Sequence, residues 1–213
     1  KRFISHIEGS ARGNANQASI TLEDTFQFPV PLPPINEQRK IAEILSCWDG
    51  CAEKLSQLLF LKESEKNNLI STWLFPENEE SREISSFVSL ASEKYDPKKA
   101  LSDPRCIELE HLGQGTGELL GTTSAKSLGS TKNAFRVGDV LFGKLRPYLR
   151  KYLRPSFDGV CSSEIWVLRS DTTLCLSEFL FYLIQSDRFI QTANRTCGTK
   201  MPRADWDLIA EFS

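Results

Sequence analysis

The sequence predicts an α+β protein in which a sheet-rich domain is joined to a long, coiled-coil-like helix. Residues 36–74 repeat apolar side chains at helical spacing, whereas residues 84–213 contain short apolar runs separated by Gly, Pro, Ser and Asp. The first pattern is typical of one amphipathic helix and the second of short strands. Pro76 and the acidic residues after it mark the change from one pattern to the other. A mixed class with one dominant helix follows.

The long helix is predicted from apolar residues that recur at alternating spacings of four and three. This seam consists of Ile41, Leu45, Trp48, Ala52, Leu55, Leu59, Leu69 and Trp73. Pro33 and Pro34 precede the helix, Asn36 is expected to cap it, and Pro76 ends it. At 1.5 Å per residue such a helix is about 55 Å long, and its apolar face is expected to pack on a partner helix.

The region after residue 84 is expected to form a sheet with two helices near its end. Predicted strands are Phe87–Leu90, Cys106–Leu109, Val140–Phe142, Val160–Cys161 and Ile165–Leu168. Predicted helices are Leu176–Gln185 and Asp187–Arg195, and the last apolar run before Ser213 is expected to be a strand. The class is therefore mixed within this domain as well.

Composition excludes several classes of protein. No apolar run approaches the roughly 20 residues that span a bilayer, so no membrane is expected as a partner. The six cysteines lack the spacing of a disulfide scaffold or of a zinc site, which favours free thiols in a reducing cytoplasm. The two histidines stand outside any metal-binding or triad-like motif, so no catalytic residue and no metal ligand is expected.

Charge is concentrated in one segment although the formal net charge is only −2. Between residues 131 and 155 the single acid is Asp139, and the basic residues are Lys132, Arg136, Lys144, Arg146, Arg150, Lys151 and Arg154. Clustered Lys and Arg with an interleaved aromatic are typical of a surface that contacts phosphates. Gly138 and Asp139 are interpreted as a turn before a strand.

The two ends of the chain resemble each other, which indicates a duplication. Arg2-Phe3-Ile4 recurs as Arg188-Phe189-Ile190, and Leu22 and Phe26 have counterparts at the same offset in Leu208 and Phe212. The predicted domains are a C-terminal remnant of a first domain (1–34), a long helix (35–75), a linker (76–83) and an incomplete second domain (84–213). We therefore expect the chain to be part of something longer.

Four motifs resemble those of the specificity subunits of type I restriction-modification enzymes. The first is Phe28-Pro-Val-Pro-Leu-Pro-Pro-Ile-Asn-Glu-Gln-Arg-Lys-Ile-Ala-Glu-Ile-Leu45, which looks like the end of a target-recognition domain followed by a spacer helix. The others are Phe135-Arg-Val-Gly-Asp-Val-Leu-Phe-Gly-Lys-Leu-Arg-Pro-Tyr-Leu-Arg-Lys151, Phe157-Asp-Gly-Val-Cys-Ser-Ser-Glu164 and Gly198-Thr-Lys-Met-Pro-Arg203 before Trp206. The resemblance spans nearly the whole chain.

The resemblance implies a non-catalytic subunit that reads a split site on double-stranded DNA. In that family two recognition domains are held apart by two antiparallel helices, which dock modification (methyltransferase) subunits, and a restriction subunit joins the assembly. S-adenosylmethionine, ATP and Mg would then belong to those partner subunits, and no cofactor is expected in this chain. A second copy or second half of the protein is a further expected partner through the helix.

The residues expected to act fall into two groups. Those expected to bind DNA are Lys144, Arg146, Tyr148, Arg150, Lys151, Thr199, Lys200 and Arg203. Those expected to form a subunit interface are Ile41, Leu45, Trp48, Leu55, Leu59, Leu69 and Trp73. Arg203 has the donor geometry for a bidentate contact to guanine, and Ser162, Ser163 and Glu164 are weaker candidates for base contacts. The alternative interpretation is a protein-interaction scaffold that assembles subunits through its helix without reading DNA.

Overall fold

The computed structural model describes residues 2–14, 17–76, 81–195 and 201–212. These residues form two compact units, Lys1–Leu61 and Lys62–Ser213, and one helix runs through the boundary between them. The α+β class predicted from the sequence is confirmed.

The first unit begins with short elements. They are helix α1 (Arg2–Ser10), strands β1 (Arg12–Asn14) and β2 (Gln17–Ser19), which form an antiparallel pair, and helix α2 (Leu22–Phe26). Thr21 caps α2, because its hydroxyl accepts a hydrogen bond from the backbone of Asp24 and the Asp24 carboxylate bonds back to the Thr21 backbone. The Phe3 and Phe28 rings pack edge to face at 5.2 Å, which holds α1 against the chain that follows α2.

Helix α3 (Ile35–Leu74) contains 40 residues and confirms the long helix. The helix begins at Ile35, one residue before the predicted cap, so Asn36 lies inside the first turn and does not cap the helix. The carbonyl of Pro34 instead accepts hydrogen bonds from Glu37 and Gln38, because a proline that cannot donate can still accept. The predicted stop before Pro76 is confirmed.

The second unit consists of short strands followed by short helices. Its strands are β3 (Val88–Leu90), β4 (Lys94–Tyr95), β5 (Arg105–Ile107), β6 (Thr123–Ser124), β7 (Lys132–Phe135), β8 (Val140–Gly143), β9 (Tyr152–Leu153), β10 (Gly159–Cys161) and β11 (Ile165–Ser170). Its remaining helices are α4 (Ser177–Leu183), α5 (Asp187–Ala193) and α6 (Trp206–Ala210), with 3-10 turns at Ile84–Ser86, Leu109–His111 and Pro147–Leu149.

Among the described residues these strands form two sheets with a shared core. One has the order β4-β7-β10-β5-β6 and the other the order β3-β11-β8-β9. Successive side chains of a strand point to opposite faces. Leu141 of β8 therefore packs between the sheets, with Phe135 and Ile107 of the other sheet, while Phe142 packs on the helical side with Phe189. The four-stranded sheet is buried on both faces.

The end of the chain is helical, which corrects the predicted strand before Ser213. Asp205 accepts a hydrogen bond from the backbone of Asp207 and so caps α6, and a polar cap of this kind favours a helix over an extended run. Ile209 and Phe212 then enter the core, and the carbonyl of Phe212 accepts from the N–H of Ile84 at 2.8 Å. A short capped helix thus occurs in both units, while the duplication itself remains a prediction.

Candidate nucleic-acid interface

Three segments of the second unit meet beside the end of β8. The backbone N–H of Arg146 donates to the Pro202 carbonyl at 2.7 Å, and that of Ala204 donates to the Lys144 carbonyl at 2.8 Å. The N–H of Lys144 donates in turn to the carbonyl of Glu164 at 3.0 Å. We call this place the junction and define it by the side chains of Lys144, Arg146, Tyr148, Glu164 and Arg203. The structure thus brings four of the predicted DNA-binding residues together.

Arg146 and Tyr148 form the outer part of the junction. Arg146 has a left-handed backbone with φ of 54°, a conformation that costs an arginine about 1 kcal/mol or more. It leads into the 3-10 turn Pro147–Leu149, where the Arg146 guanidinium lies 5.8 Å from the centre of the Tyr148 ring. Both side chains are exposed. The turn therefore presents a cation and an aromatic ring on one surface, the combination that nucleic-acid binding uses.

Arg203 pairs with Glu164 inside the junction. Its Nε donates to Glu164 Oε2 at 3.1 Å, and its second terminal nitrogen lies 3.5 Å from Oε1. The two residues stand far apart in the sequence, and the pairing arises because Arg203 forms a β-bridge with Leu145. Sequence reasoning gave Glu164 a weak role and contained no signal that would pair it with Arg203.

Arg150 and Lys151 contact protein groups outside the junction. Arg150, with φ of 49°, donates to the carbonyl of Gln185 at 3.2 Å and forms an ion pair with Asp187. The Lys151 ammonium donates to the carbonyl of Leu109. These two cations bond the segment after β8 to other parts of the second unit. Their contacts therefore differ from those of Lys144 and Arg146.

The rest of the basic segment is paired with acids from other parts of the second unit. Ion pairs join Lys132 to Glu108 at 2.6 Å, Arg136 to Glu93 at 3.1 Å, and Arg154 to Glu178 at 2.8 Å. Within the described residues, the side chains of Lys144 and Arg146 form no such ion pair. The cationic excess that the sequence shows between residues 131 and 155 is therefore concentrated at the junction.

Two predicted residues, Thr199 and Lys200, lie outside the described residues together with Gly198. Their predicted role therefore stays a prediction. Arg203, three residues after Lys200, is described and forms a β-bridge with Leu145 at the junction.

A charged network supports the strand that leads to the junction. The guanidinium of Arg169 donates to both oxygens of Asp139 at 2.7 and 2.8 Å and to Glu93 at 2.7 Å. The hydrogen bond to Asp139 is the main reason that the pKa of Arg169 is raised, and the bond from Arg169 is the main reason that the pKa of Glu93 is lowered. Asp139 also accepts from the backbone of Arg136, which closes the turn predicted at Gly138 and Asp139.

The predicted interface residues of α3 are exposed in both parts of the helix. Within the first unit these are Ile41, Leu45, Trp48, Leu55 and Leu59. Within the second unit Leu69 and Trp73 line a groove of about 670 Å³ together with Phe179 and Tyr182 of α4. An apolar helix face of this length is typical of a surface that binds another helix.

Other functional features are scarce in the part of the chain that the structure describes. There, no helix has the length and apolar character needed to cross a bilayer, and no three acidic, His or Cys side chains cluster as metal ligands do. The described cysteines are free thiols: Cys47 and Cys51 are exposed, and Cys106, Cys161 and Cys175 are buried.

The fold belongs to a class in which a mixed-sheet domain is joined to a long helix, and two solved structures share it. The first is from a type I R-M system studied for complex assembly and conformational transition, with a TM-score of 0.54, 24% identity, and coverage of 62% of this chain and 36% of that chain. The second is the HsdS subunit from Thermoanaerobacter tengcongensis, with a TM-score of 0.52, 22% identity and the same coverages of 62% and 36%.

The sequence is similar to the specificity subunit of the type I restriction enzyme EcoDI from Escherichia coli. The two are 29% identical over 120 residues, which are 54% of this chain and 26% of that protein. The match thus spans about a quarter of the length of the curated relative. No family model matches the chain. The resemblance to type I specificity subunits that the motifs predicted is confirmed.

Proposed function

We propose that this chain recognises a DNA sequence as the specificity subunit of a type I restriction-modification complex. The observation that carries the proposal is the junction, where backbone hydrogen bonds bring half-buried Lys144 and exposed Arg146 next to exposed Arg203, although Arg203 is distant in sequence. Lys144 and Arg146 supply charge for phosphates, and Arg203 has the fork geometry that matches guanine. The similarity to the EcoDI specificity subunit supports the same function.

The domains and partners follow from this proposal. Residues 1–34 are the C-terminal remnant of a first DNA-reading domain, and residues 84–213 form an incomplete second one. Residues 35–75 form the spacer helix between them, and residues 76–83 are a linker. The exposed apolar face of α3 binds modification (methyltransferase) subunits or the helix of a second copy or second half of the protein. A restriction subunit completes the assembly, which works in the cytoplasm on a split target.

The chain itself is proposed to be non-catalytic. S-adenosylmethionine, ATP and Mg would be bound by the partner subunits, whose reactions the chain directs to its target. Arg150 and Lys151 are proposed to support DNA binding by fixing the turn that carries Arg146 and Tyr148.

Selection from a duplex library with a randomised central segment tests the proposal. The chain, alone and with its modification subunits, is expected to enrich one defined sequence, and affinity for that sequence should fall steeply with salt. An interaction scaffold would instead assemble with the modification subunits and enrich no sequence. Equal recovery of all library members by the complete assembly would refute the proposed function.

A further inference from the structure

The apolar seam of α3 is interrupted by two lysines, Lys62 and Lys66, which occupy seam positions. Both belong to the second unit, and their ammonium groups have different partners. Lys62 forms an ion pair with Glu65 of the same helix at 2.8 Å, whereas Lys66 donates to Oε1 of Gln185 at 2.8 Å. Lys66 thus bonds α3 to another part of the second unit.

Gln185 is a buried polar residue between α4 and α5, with only 4% of its surface exposed. Its Nε2 donates to the carbonyl of Phe181 at 2.8 Å, so both ends of the side-chain amide have a partner. Its backbone carbonyl accepts from the guanidinium of Arg150 at 3.2 Å. A buried amide is costly without hydrogen bonds, and these bonds fix the position of Gln185. The residue therefore contacts α3 on one side and Arg150 on the other.

Arg150 ends the turn that carries Arg146 and Tyr148. Its N–H donates to the carbonyl of Pro147 at 2.9 Å, which closes the turn. Its backbone is left-handed, with φ of 49°, a conformation that persists only where surrounding contacts hold it. The bond from its guanidinium to Gln185 is one of those contacts. A series of hydrogen bonds therefore runs from α3 through Gln185 to the turn.

The apolar contacts of α3 with the core of the second unit lie near the end of the helix. Ile70 is buried, and Leu74 packs against the core cluster that contains Phe189. Beside these residues a groove of about 670 Å³ lies between the helix and α4. Lys66 is four residues before Ile70, about 6 Å further along the helix axis. A rod attached only near one end can pivot, and the Lys66 bond is placed to oppose that motion of residues 62–74.

We propose that Gln185 is a positioning residue that holds the DNA-contacting turn in a fixed place relative to residues 62–74 of α3. Lys66 is its partner on the helix, and Arg150 is its partner at the turn. The inference rests on the proposed function and deepens it. A reader of a split target binds both half-sites only at the distance at which both domains reach their bases, so a turn held against the spacer helix selects one distance. Gln185 thus contributes to specificity for spacing without touching DNA.

Lys66→Met tests the inference in the library selection with the complete assembly. Lys66 is exposed, so its substitution should leave the core intact. The wild-type assembly should enrich two half-sites at one distance. Lys66→Met should enrich the same bases, but its preference for that distance over one that differs by a single base pair, about 3.4 Å, should fall about fivefold or more. Affinity measurements on duplexes of defined spacing quantify the change.

Two matched variants separate the hydrogen bond from the charge. Lys62→Met removes the same charge about one helical turn earlier, where the ammonium has its partner on α3 itself, so the distance preference should stay as in the wild type. Lys66→Arg keeps a donor at the position and should retain most of the preference.

Gln185→Met removes the bond from its other side, together with the bond to Phe181. Because Lys66 and Gln185 act as a unit, Lys66→Met added to Gln185→Met should not lower the distance preference further. Circular dichroism melts identify any variant that fails to fold. If Gln185→Met does not fold, Lys66→Met and its two matched variants decide.

The outcomes for the inference and for the proposed function are distinct. A wild-type assembly that enriches no sequence overturns both. A selective wild-type assembly overturns only the inference if Lys66→Met keeps the distance preference or if Lys62→Met loses it equally. An enriched target without two half-sites also overturns only the inference.

Discussion

Lys132 and Arg146 lie in the same basic segment of the sequence, yet the structure gives them opposite environments. Lys132 lies on β7 inside the five-stranded sheet, where its ammonium is buried and bonded to Glu108. Arg146 lies on an exposed left-handed turn, where its guanidinium lies 5.8 Å from the centre of the Tyr148 ring. A buried charge must be paired, whereas an exposed one stays available to a ligand. Cations close in sequence therefore divide into buried, paired residues and exposed ones that stay available to a ligand.

The largest effect on stability is expected when the buried cation is removed. Lys132→Met leaves the Glu108 carboxylate partly buried without the ammonium 2.6 Å away, and the free energy of unfolding should fall by about 3 kcal/mol. Urea denaturation followed by tryptophan fluorescence measures this change. Arg154→Met is the matched control, since its pair with Glu178 is much more exposed and should contribute less than about 1 kcal/mol. Equal losses for the two variants would contradict the distinction between buried and exposed pairs.

The largest effect on DNA binding is expected at Arg146. Arg146→Ala should weaken binding to all duplex sequences by roughly tenfold and reduce the logarithmic salt dependence by about one, because a phosphate contact is lost. Stability should change by less than about 0.5 kcal/mol, since the side chain is exposed. Fluorescence anisotropy titrations at several salt concentrations measure both quantities.

Arg146→Lys is the control for charge at the same backbone position. It should retain most of the affinity and the salt dependence. If Arg146→Ala bound DNA as the wild type does while Lys132→Met at temperatures below its melting point did not, the assignment of binding and structural cations would be reversed.

The sequence predicted the four-stranded sheet better than the five-stranded one, for a physical reason. Strands β8 and β11 are buried on both faces, so they appear as continuous apolar runs. Strand β7 was missed because its buried residues include Lys132 and Asn133, which look like surface residues in a sequence. The Asn133 amide donates to the carbonyl of Ile165 at 2.9 Å, a partner that only the fold provides.

The sequence predicted the cationic character of the candidate site. It did not predict which cations are paired with acids and which are left to bind a ligand. Composition marks the segment of basic residues, but it cannot show that Arg150 meets Asp187 or that Arg203 meets Glu164. Those acids come from a later helix and from the turn between β10 and β11. Which cations remain for a ligand is thus decided by contacts between distant parts of the chain.

A smaller effect is expected when the charged network under β8 is titrated with acid. Arg169 lowers the pKa of Glu93 chiefly by a hydrogen bond, so the bond stabilises the folded state above the unfolded pKa of Glu and is lost as the pH falls through the lower, folded value. Glu93→Gln should therefore melt at a lower temperature at neutral pH and show a flatter decline of Tm under acid. Calorimetric melts between about pH 7 and pH 3 check this. Parallel declines for wild type and variant would exclude the network as an acid-sensitive element.

The smallest expected effect is a difference in alkylation rate between the thiols of the exposed helix and those of the sheets. Burial is the main reason that the pKa of Cys106 is raised to about 12 and that the pKa of Cys161 is also raised, so both thiols stay protonated at pH 8. Cys47 and Cys51 lie exposed on α3 and should be alkylated by iodoacetamide first, as peptide mass spectrometry would show. In urea Cys106 and Cys161 should react as fast as the other two.

Rapid native alkylation of Cys106 would mean that the five-stranded sheet opens readily. Binding of modification subunits to α3 should protect Cys47 and Cys51 only.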